Sequence, residues 1–366
     1  MRNDKFCVRP FMHGLVDTEG KFKPCCRSTI DTGYNINDHT AAEWWESDYL
    51  DNLRQRMLRG ESSAECQRCY RQEEQGFKSF REQSNEQWPM ITSKVDTPWD
   101  WEIQITNLCN LKCMMCNPQS SSQVLIEDNI LFSANWDQRR YNWNPGAESK
   151  IREMFKTGKS FVVRGGEPFM IPWIKQMIDE IPDRKQFLFN TNATCFDHEW
   201  VNILSRHDVK MSLSIDAFGE LNHYIRFPSK WKDIIQNITM MREIQGVDIF
   251  LNTCVQNLNV LYLGDLLTWA TKTQGLYVNL DVLTLPKWFE PSCLPVGLAN
   301  LARQRLITVR DHIDNNMVRG LDSVINLLAT PDQQHWPQFI KYVQAKDLHR
   351  SESVIDYIPE MEEYFV

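Results

Sequence analysis

Three cysteines, Cys109, Cys113 and Cys116, stand together in the stretch TNLCNLKCMMCNP, residues 106–118. Thiolates are soft ligands suited to zinc or iron–sulfur clusters. A structural tetrahedral site closes all its positions with protein ligands, whereas a catalytic centre keeps one open. Three thiols on a four-iron cubane leave one iron without a protein ligand, so this C-x3-C-x2-C spacing reads as a cluster holder with one corner reserved. The chain has eleven cysteines in all, an odd number. Seven lie in tight groups, namely Cys25 with Cys26, Cys66 with Cys69, and the trio; Cys7 stands upstream of the first pair. The N-terminal MRNDKFCVRPFMHG lacks the apolar core of an export signal, so a cytoplasmic location is expected. Disulfides are disfavoured there, and clustered thiols read as metal or cluster ligands.

The elements that must carry these thiols show in the residue pattern. From Trp99 to about residue 290, strand-like and helix-like segments alternate. The strand candidates are WEIQIT (101–106), SFVVR (160–164), QFLFNT (186–191), VKMSLSID (209–216), VDIFLNTC (247–254) and LYVNLDVL (276–283). Helical stretches such as PWIKQMIDEI and WKDIIQNITMMREIQ lie between them. Six β/α units imply parallel strands with right-handed crossovers, two units short of a (β/α)8 barrel. The expected fold is therefore α/β, a partial (β/α)6 TIM-type barrel over residues 98–293. A cysteine-bearing N-terminal domain (1–87) with a helix over TAAEWWESDYLDNLRQRMLRGE precedes it, and a helical extension (294–366) follows it. The first strand runs into the cysteine loop, which places the trio at a strand's carboxyl end, where such barrels put their chemistry.

The strands also alternate. In VKMSLSID, Val209, Met211, Leu213 and Ile215 share one face, and Lys210, Ser212, Ser214 and Asp216 the other. Glu102, Gln104 and Thr106 group likewise, as do Tyr277, Asn279 and Asp281. Parallel strands buried on both faces read as continuous apolar runs. The polar faces are best explained as lining a ligand cavity in the barrel lumen, with an edge or exposed surface as the rival. Bulk composition is that of a globular protein, with 42% hydrophobic and 24% charged residues. The 13 tryptophans read as packing residues. No 18-residue apolar run exists, so no membrane span is expected. The net charge of −8 and the lack of a basic run argue against nucleic acid as substrate.

With its strand context, the trio resembles the signature of the radical S-adenosylmethionine (radical SAM) superfamily. RGGEP after the second strand, with Gly165, Gly166, Glu167 and Pro168, is similar to that family's GGE motif. FNTNAT after the third strand places Asn192 at a TNG-like turn. SLSIDAFGELNHYIR resembles the fourth-strand segment, and FLNTCVQNLN the fifth. The resemblance spans about residues 99–290. It implies a 4Fe-4S cluster on Cys109, Cys113 and Cys116 whose open iron chelates S-adenosylmethionine, and reductive cleavage to a 5′-deoxyadenosyl radical that abstracts hydrogen. It further implies that residues 165–168 bind the methionyl amino group, that Ser214 and Arg226 meet the carboxylate, and that Cys254 and Val255 pass the adenine. Met115 stands where the family often has an aromatic residue, and is apolar enough to pack on adenine.

Cys7-x12-Gly20-x4-Cys25, followed by CQRCYRQEE, looks like the half-cluster twitch version of the SPASM domain, in an N-terminal arrangement. That resemblance implies an auxiliary 4Fe-4S cluster on Cys7, Cys25, Cys66 and Cys69, with Cys26 as an alternative to Cys25. A four-cysteine zinc site is the structural rival, since the spacing suits both. Relatives of this kind commonly modify a peptide or protein side chain, and some oxidise a sugar or alcohol; a flavodoxin or ferredoxin would be the reductant. Glu102 and Asp281 are candidate bases, with Gln104, Asn252 and Asn279 beside them as lumen candidates. Cys293 is a candidate hydrogen-atom donor to a substrate radical. A non-enzymatic metal-binding or electron-transfer protein is the rival class.

Overall fold

A computed structural model of the chain describes residues 3–74, 78–273 and 276–365. Among the described residues eight strands form: β1 (His13–Val16), β2 (Phe22–Lys23), β3 (Asp100–Gln104), β4 (Ser160–Arg164), β5 (Gln186–Thr191), β6 (Asp208–Leu213), β7 (Asp248–Val255) and β8 (Tyr277–Val282). The last six are the six segments read from sequence, and the protein is α/β with parallel strands.

The chain divides into two compact units, and neither follows the expected boundaries. The first comprises residues 1–108, 137–189 and 206–208; the second comprises 109–136, 190–205 and 209–366. The N-terminal region is not packed apart from the strands that follow it. In the first unit β1 pairs parallel with β3, with His13 opposite Asp100 and Val16 opposite Ile103. β2 turns back antiparallel on β1, and β4 and β5 continue on the other side of β3. Residues 95–99 lie along this region, with the Val95 and Trp99 N–H groups donating to the Phe11 and Met12 carbonyls. Trp44, Trp45, Trp101 and Phe22 form the aromatic core beneath these strands, all at most 1% exposed. A side chain at Gly14 would run into the rings of Trp44 and Trp101, so the smallest residue is needed for β1 to lie there. The buried His13 is hydrogen-bonded to Asp100 (Nδ1 to Oδ2, 2.6 Å).

The helix expected over residues 40–60 is two helices, Ala41–Trp45 and Asp48–Leu58. The break follows from Ser47, whose hydroxyl accepts from the Leu50 N–H and starts a new helix.

In the second unit β6, β7 and β8 pair in parallel, with Met211 opposite Ile249 and Asn252 opposite Asn279. β7 alternates as expected: Ile249, Leu251, Thr253 and Val255 are buried, with Phe250, Asn252 and Cys254 half-buried on the other face. The extension is helical over Val296–Arg310, Asn315–Leu327 and Trp336–Arg350. Among the described residues no helix is long and apolar enough to cross a membrane.

Candidate metal and cofactor site

The thiol loop begins where β3 ends, and within the second unit it is built from side chains of four elements. Cys109 and Cys113 are 7% exposed and pack with Leu111, while Met115 and Cys116 are half-buried against them. None of the eleven cysteines is in a disulfide. N–H groups point at the sulfurs: the Leu111 amide lies 3.4 Å from Cys109 Sγ, and the Asn192 amide nitrogen 3.8 Å from the same atom. Arg226 Nη1 is 4.0 Å from Cys113 Sγ. Burial pushes the Cys113 and Cys116 thiols up, and the Cys116 thiol is raised further by Cys113 and Cys109. Three thiols that repel one another as anions, two of them near N–H donors, fit the charge and hydrogen-bonding demands of a cluster. Among the described residues no three His, Cys, Asp or Glu side chains converge tightly enough for a single metal ion; a cubane asks for wider spacing.

Asn192 does more than mark a turn. Its amide donates to Asn110 Oδ1 (3.0 Å), and Asn110 donates to Thr194 Oγ1 (2.8 Å), so the turn after β5 is tied to the thiol loop. Ala193 sits there at φ +59°, the left-handed conformation glycine takes most easily. Arg226 faces a partner that sequence reasoning had placed only on the polar face of β6. The fully buried Asp216 lies 2.7 Å from Arg226 Nε, an ion pair without a well-aligned hydrogen bond. Asp216 also accepts the Cys254 N–H (2.9 Å). Burial raises the Asp216 carboxyl, with Arg226 opposing; burial and then Asp216 push the Cys254 thiol up to about 12. Ser214 is half-buried, and its N–H donates to the Thr191 carbonyl (2.8 Å). Val255 is fully buried on the face opposite Cys254, so its side chain lies with Leu251.

In the first unit the glycine segment continues the β3–β4 pairing. The Ile105 N–H donates to the Arg164 carbonyl, the Gly166 N–H to the Thr106 carbonyl (2.6 Å) and the Glu167 N–H to the Leu108 carbonyl (2.7 Å). Gly165 has φ +143°, and a Cβ there would lie 2.6 Å from the Thr106 oxygen. Both glycines are therefore required by the approach of residues 106–108, the lead-in to Cys109. Glu167 is buried, its carboxylate accepting from the Phe169 N–H (3.3 Å), and Pro168 opens the short helix Pro168–Met170.

The other candidates are more committed to the fold. Glu102 is buried, ion-paired with Arg164 and hydrogen-bonded by Gln104 (2.8 Å). Asp281 and Asn279 are exposed on β8, and Asn279 donates to Asn252 (2.7 Å). Cys293 does not face an open space: it is 0% exposed and its thiol donates to the Lys287 carbonyl (3.1 Å). A thiol so buried and hydrogen-bonded packs as a small apolar residue does.

The second thiol set lies in the first unit. Cys7, Cys66 and Cys69 are buried and Cys25 half-buried. Burial first, then Cys7 and Cys26, raise Cys25 to about 12, and burial, then Cys7, Cys25 and Cys69, raise Cys66. Cys7 rises to about 11, mainly by burial. Backbone N–H groups serve the sulfurs here too, from Arg9 to Cys7 and from Arg27 and Ser28 to Cys25. Gly20, at φ +81°, makes the turn that returns the chain toward Cys25. Cys26 faces other neighbours. After burial, the groups that act on it are Glu102, Arg164, Arg9 and Arg27.

Residues 103–262 match the radical SAM superfamily, so the chain carries a radical SAM domain. An uncharacterized protein of Methanocaldococcus jannaschii is 22% identical over 191 residues; the match takes in 50% of this chain and 61% of that protein, less than two thirds of its length. Similar solved structures include anSMEcpe with bound AdoMet, at 15% identity and a TM-score of 0.42, covering 60% of this chain and 61% of that one. Streptococcus suis SuiB bound to S-adenosylmethionine is 20% identical with a TM-score of 0.40, covering 59% of this chain and 47% of that one.

Proposed function

We propose that this protein is a radical SAM enzyme that abstracts hydrogen from a peptide or protein side chain. A 4Fe-4S cluster carrying S-adenosylmethionine would supply one electron to the sulfonium and yield a 5′-deoxyadenosyl radical. The observation that carries the reading is the loop itself: two buried thiols near N–H donors and a third half-buried beside them, none in a disulfide, shortly after β3. Cys109, Cys113 and Cys116 hold the cluster. Arg226, held by Asp216, keeps donors for a carboxylate, and the main chain of residues 165–167 serves an amino group. Asn192 holds the loop through Asn110. Cys7, Cys25, Cys66 and Cys69 hold an auxiliary cluster, which carries an electron or walls the substrate. A flavodoxin or ferredoxin serves as reductant.

Anaerobic reconstitution tests this. The chain should take up about eight irons, from two four-iron clusters, and release 5′-deoxyadenosine on reduction. Cys113→Ala should abolish release; Cys66→Ala should leave some release but stop turnover. Zinc uptake with no cleavage would overturn the proposal. Deuterated peptides and polyols, with label followed into 5′-deoxyadenosine, separate a peptide substrate from a small sugar or alcohol.

A further inference from the structure

The loop between Cys109 and Cys116 is held by a helix more than two hundred residues later in the chain. Lys112 and Met114 flank Cys113, and both have their backbone N–H and C=O groups paired. The Lys112 N–H donates to the Phe227 carbonyl (2.7 Å) and the Met114 N–H to the Ile225 carbonyl (2.8 Å). The opposite edge is served by the Trp336–Arg350 helix. Arg350 Nη2 donates to the Lys112 carbonyl (2.6 Å), and the Tyr342 hydroxyl to the Met114 carbonyl (3.1 Å). Arg350 Nη1 also reaches the Met114 sulfur at 3.0 Å. Cys113 is thus gripped by the residue on each side of it.

The grip is itself anchored. Arg350 Nε and Nη2 bind the two oxygens of Glu127 at 2.8 and 2.7 Å. Lys346 bridges Glu127 (2.6 Å) and Asp128 (2.7 Å). Their burial is nearly complete, with side-chain exposures of 0% for Lys346 and 1% for Glu127 and Arg350. Lys112 Nζ adds a third cation 3.4 Å from Glu127. Buried charges cost several kcal/mol unless fully paired. A surface helix needs no such network to pack, because apolar contacts would serve.

Resting on the cluster reading of this loop, we propose that Arg350 is a positioning residue. Backed by Glu127 and Lys346, it fixes the Cys113 backbone and lends a buried positive charge to that thiolate's surroundings. A fixed guanidinium has the planar fork to join a carbonyl, a thioether and a carboxylate at once, which lysine lacks. Hydrogen bonds and charges around cluster thiolates set the reduction potential. A cation there favours the reduced cluster, which carries one more negative charge.

Hydrogen exchange on the metal-free chain, read beside electron paramagnetic resonance and redox titration of the reconstituted chain, tests this. In Arg350→Met the Lys112 and Met114 amides should exchange about tenfold faster, with the β3–β4 amides unchanged. The midpoint potential of the first cluster should fall and its resonance signal broaden. Arg350→Lys should keep the potential near that of the native chain while exchange stays fast. If Arg350→Met does not fold, Tyr342→Phe, which removes one hydroxyl, must still speed Met114 exchange. Native exchange and native spectra in these variants would overturn the positioning role. A native chain that takes up no cluster would overturn the cluster reading instead, and the exchange result would still decide whether the helix grips the loop.

Discussion

Gly166→Ala is the sharpest perturbation the structure offers. The added Cβ would fall inside the Leu108 carbonyl group and 2.7 Å from the Asn107 carbonyl carbon. Ordinary contact begins at 3.4 Å, so residues 107–108 must withdraw from the Gly166 backbone by at least about 0.7 Å. Both neighbours are backbone and neither can rotate away. The withdrawal stretches the Gly166 to Thr106 and Glu167 to Leu108 hydrogen bonds, now 2.6 and 2.7 Å. Overpacking costs about 1–3 kcal/mol and each of the two lost hydrogen bonds about 1 kcal/mol, giving an expected loss of about 3–5 kcal/mol. Because Leu108 immediately precedes Cys109, the strain also moves the first thiol. A misplacement approaching 1 Å lowers a positioned reaction by about 100-fold. Urea denaturation of the metal-free chain measures the first effect, and 5′-deoxyadenosine release the second. Gly146→Ala is the control: nothing lies within 4 Å of its added Cβ, and it sits in the first turn of the Pro145–Thr157 helix. It should gain up to about 1 kcal/mol. If Gly166→Ala unfolds with Gly146→Ala and cleaves at the native rate, the close approach of the two segments does not exist as described.

Three further outcomes follow from the geometry. Cys25→Ser should halve the iron content, from about eight to about four per chain, whereas Cys26→Ser should leave it unchanged; iron analysis of both decides which thiol is the ligand. The clamp should make the protein acid-labile in a defined window. Burial pushes the Glu127 carboxyl up, but Arg350 and then Lys346 bring it down to about 2. A depressed carboxyl stabilises the fold above its ordinary value of 4.5, and that contribution is lost as pH falls from there toward about 2. Denaturation midpoints between about pH 6 and about pH 3 should therefore fall more steeply in the native chain than in Glu127→Gln, which cannot titrate. At neutral pH, Glu127→Gln should itself cost about 3 kcal/mol, since it leaves two buried cations short of one anion; equal stability by calorimetry would refute the network's importance.

The thiol trio, the glycine pair and the six later strands could be read from sequence because each is local. Cysteine spacing, a glycine doublet after a strand and two-residue alternation are written in neighbouring positions. β6 keeps the alternation of VKMSLSID only as far as Met211, because Ser212 is buried as well, while β7 alternates along its length. Asp216 was half legible: it ended a strand on the polar face, but its pairing with Arg226 depends on where the next helix stops. Cys25 and Cys26 are adjacent in sequence, and only the folded chain sets which charges act on each, Cys7 and Cys26 on Cys25, and Glu102 and Arg164 on Cys26. Cys293 looked well placed by its position after the last strand, until packing buried it against Lys287. The alliance of Arg350 with Lys112, Met114 and Glu127 had no sequence signal at all, because its members lie up to 238 residues apart. Local pattern therefore determined which groups could bind a cluster. Which of them face one another, and what holds them still, was decided by burial and long-range pairing, because an ion pair between distant residues leaves no periodic trace in the chain.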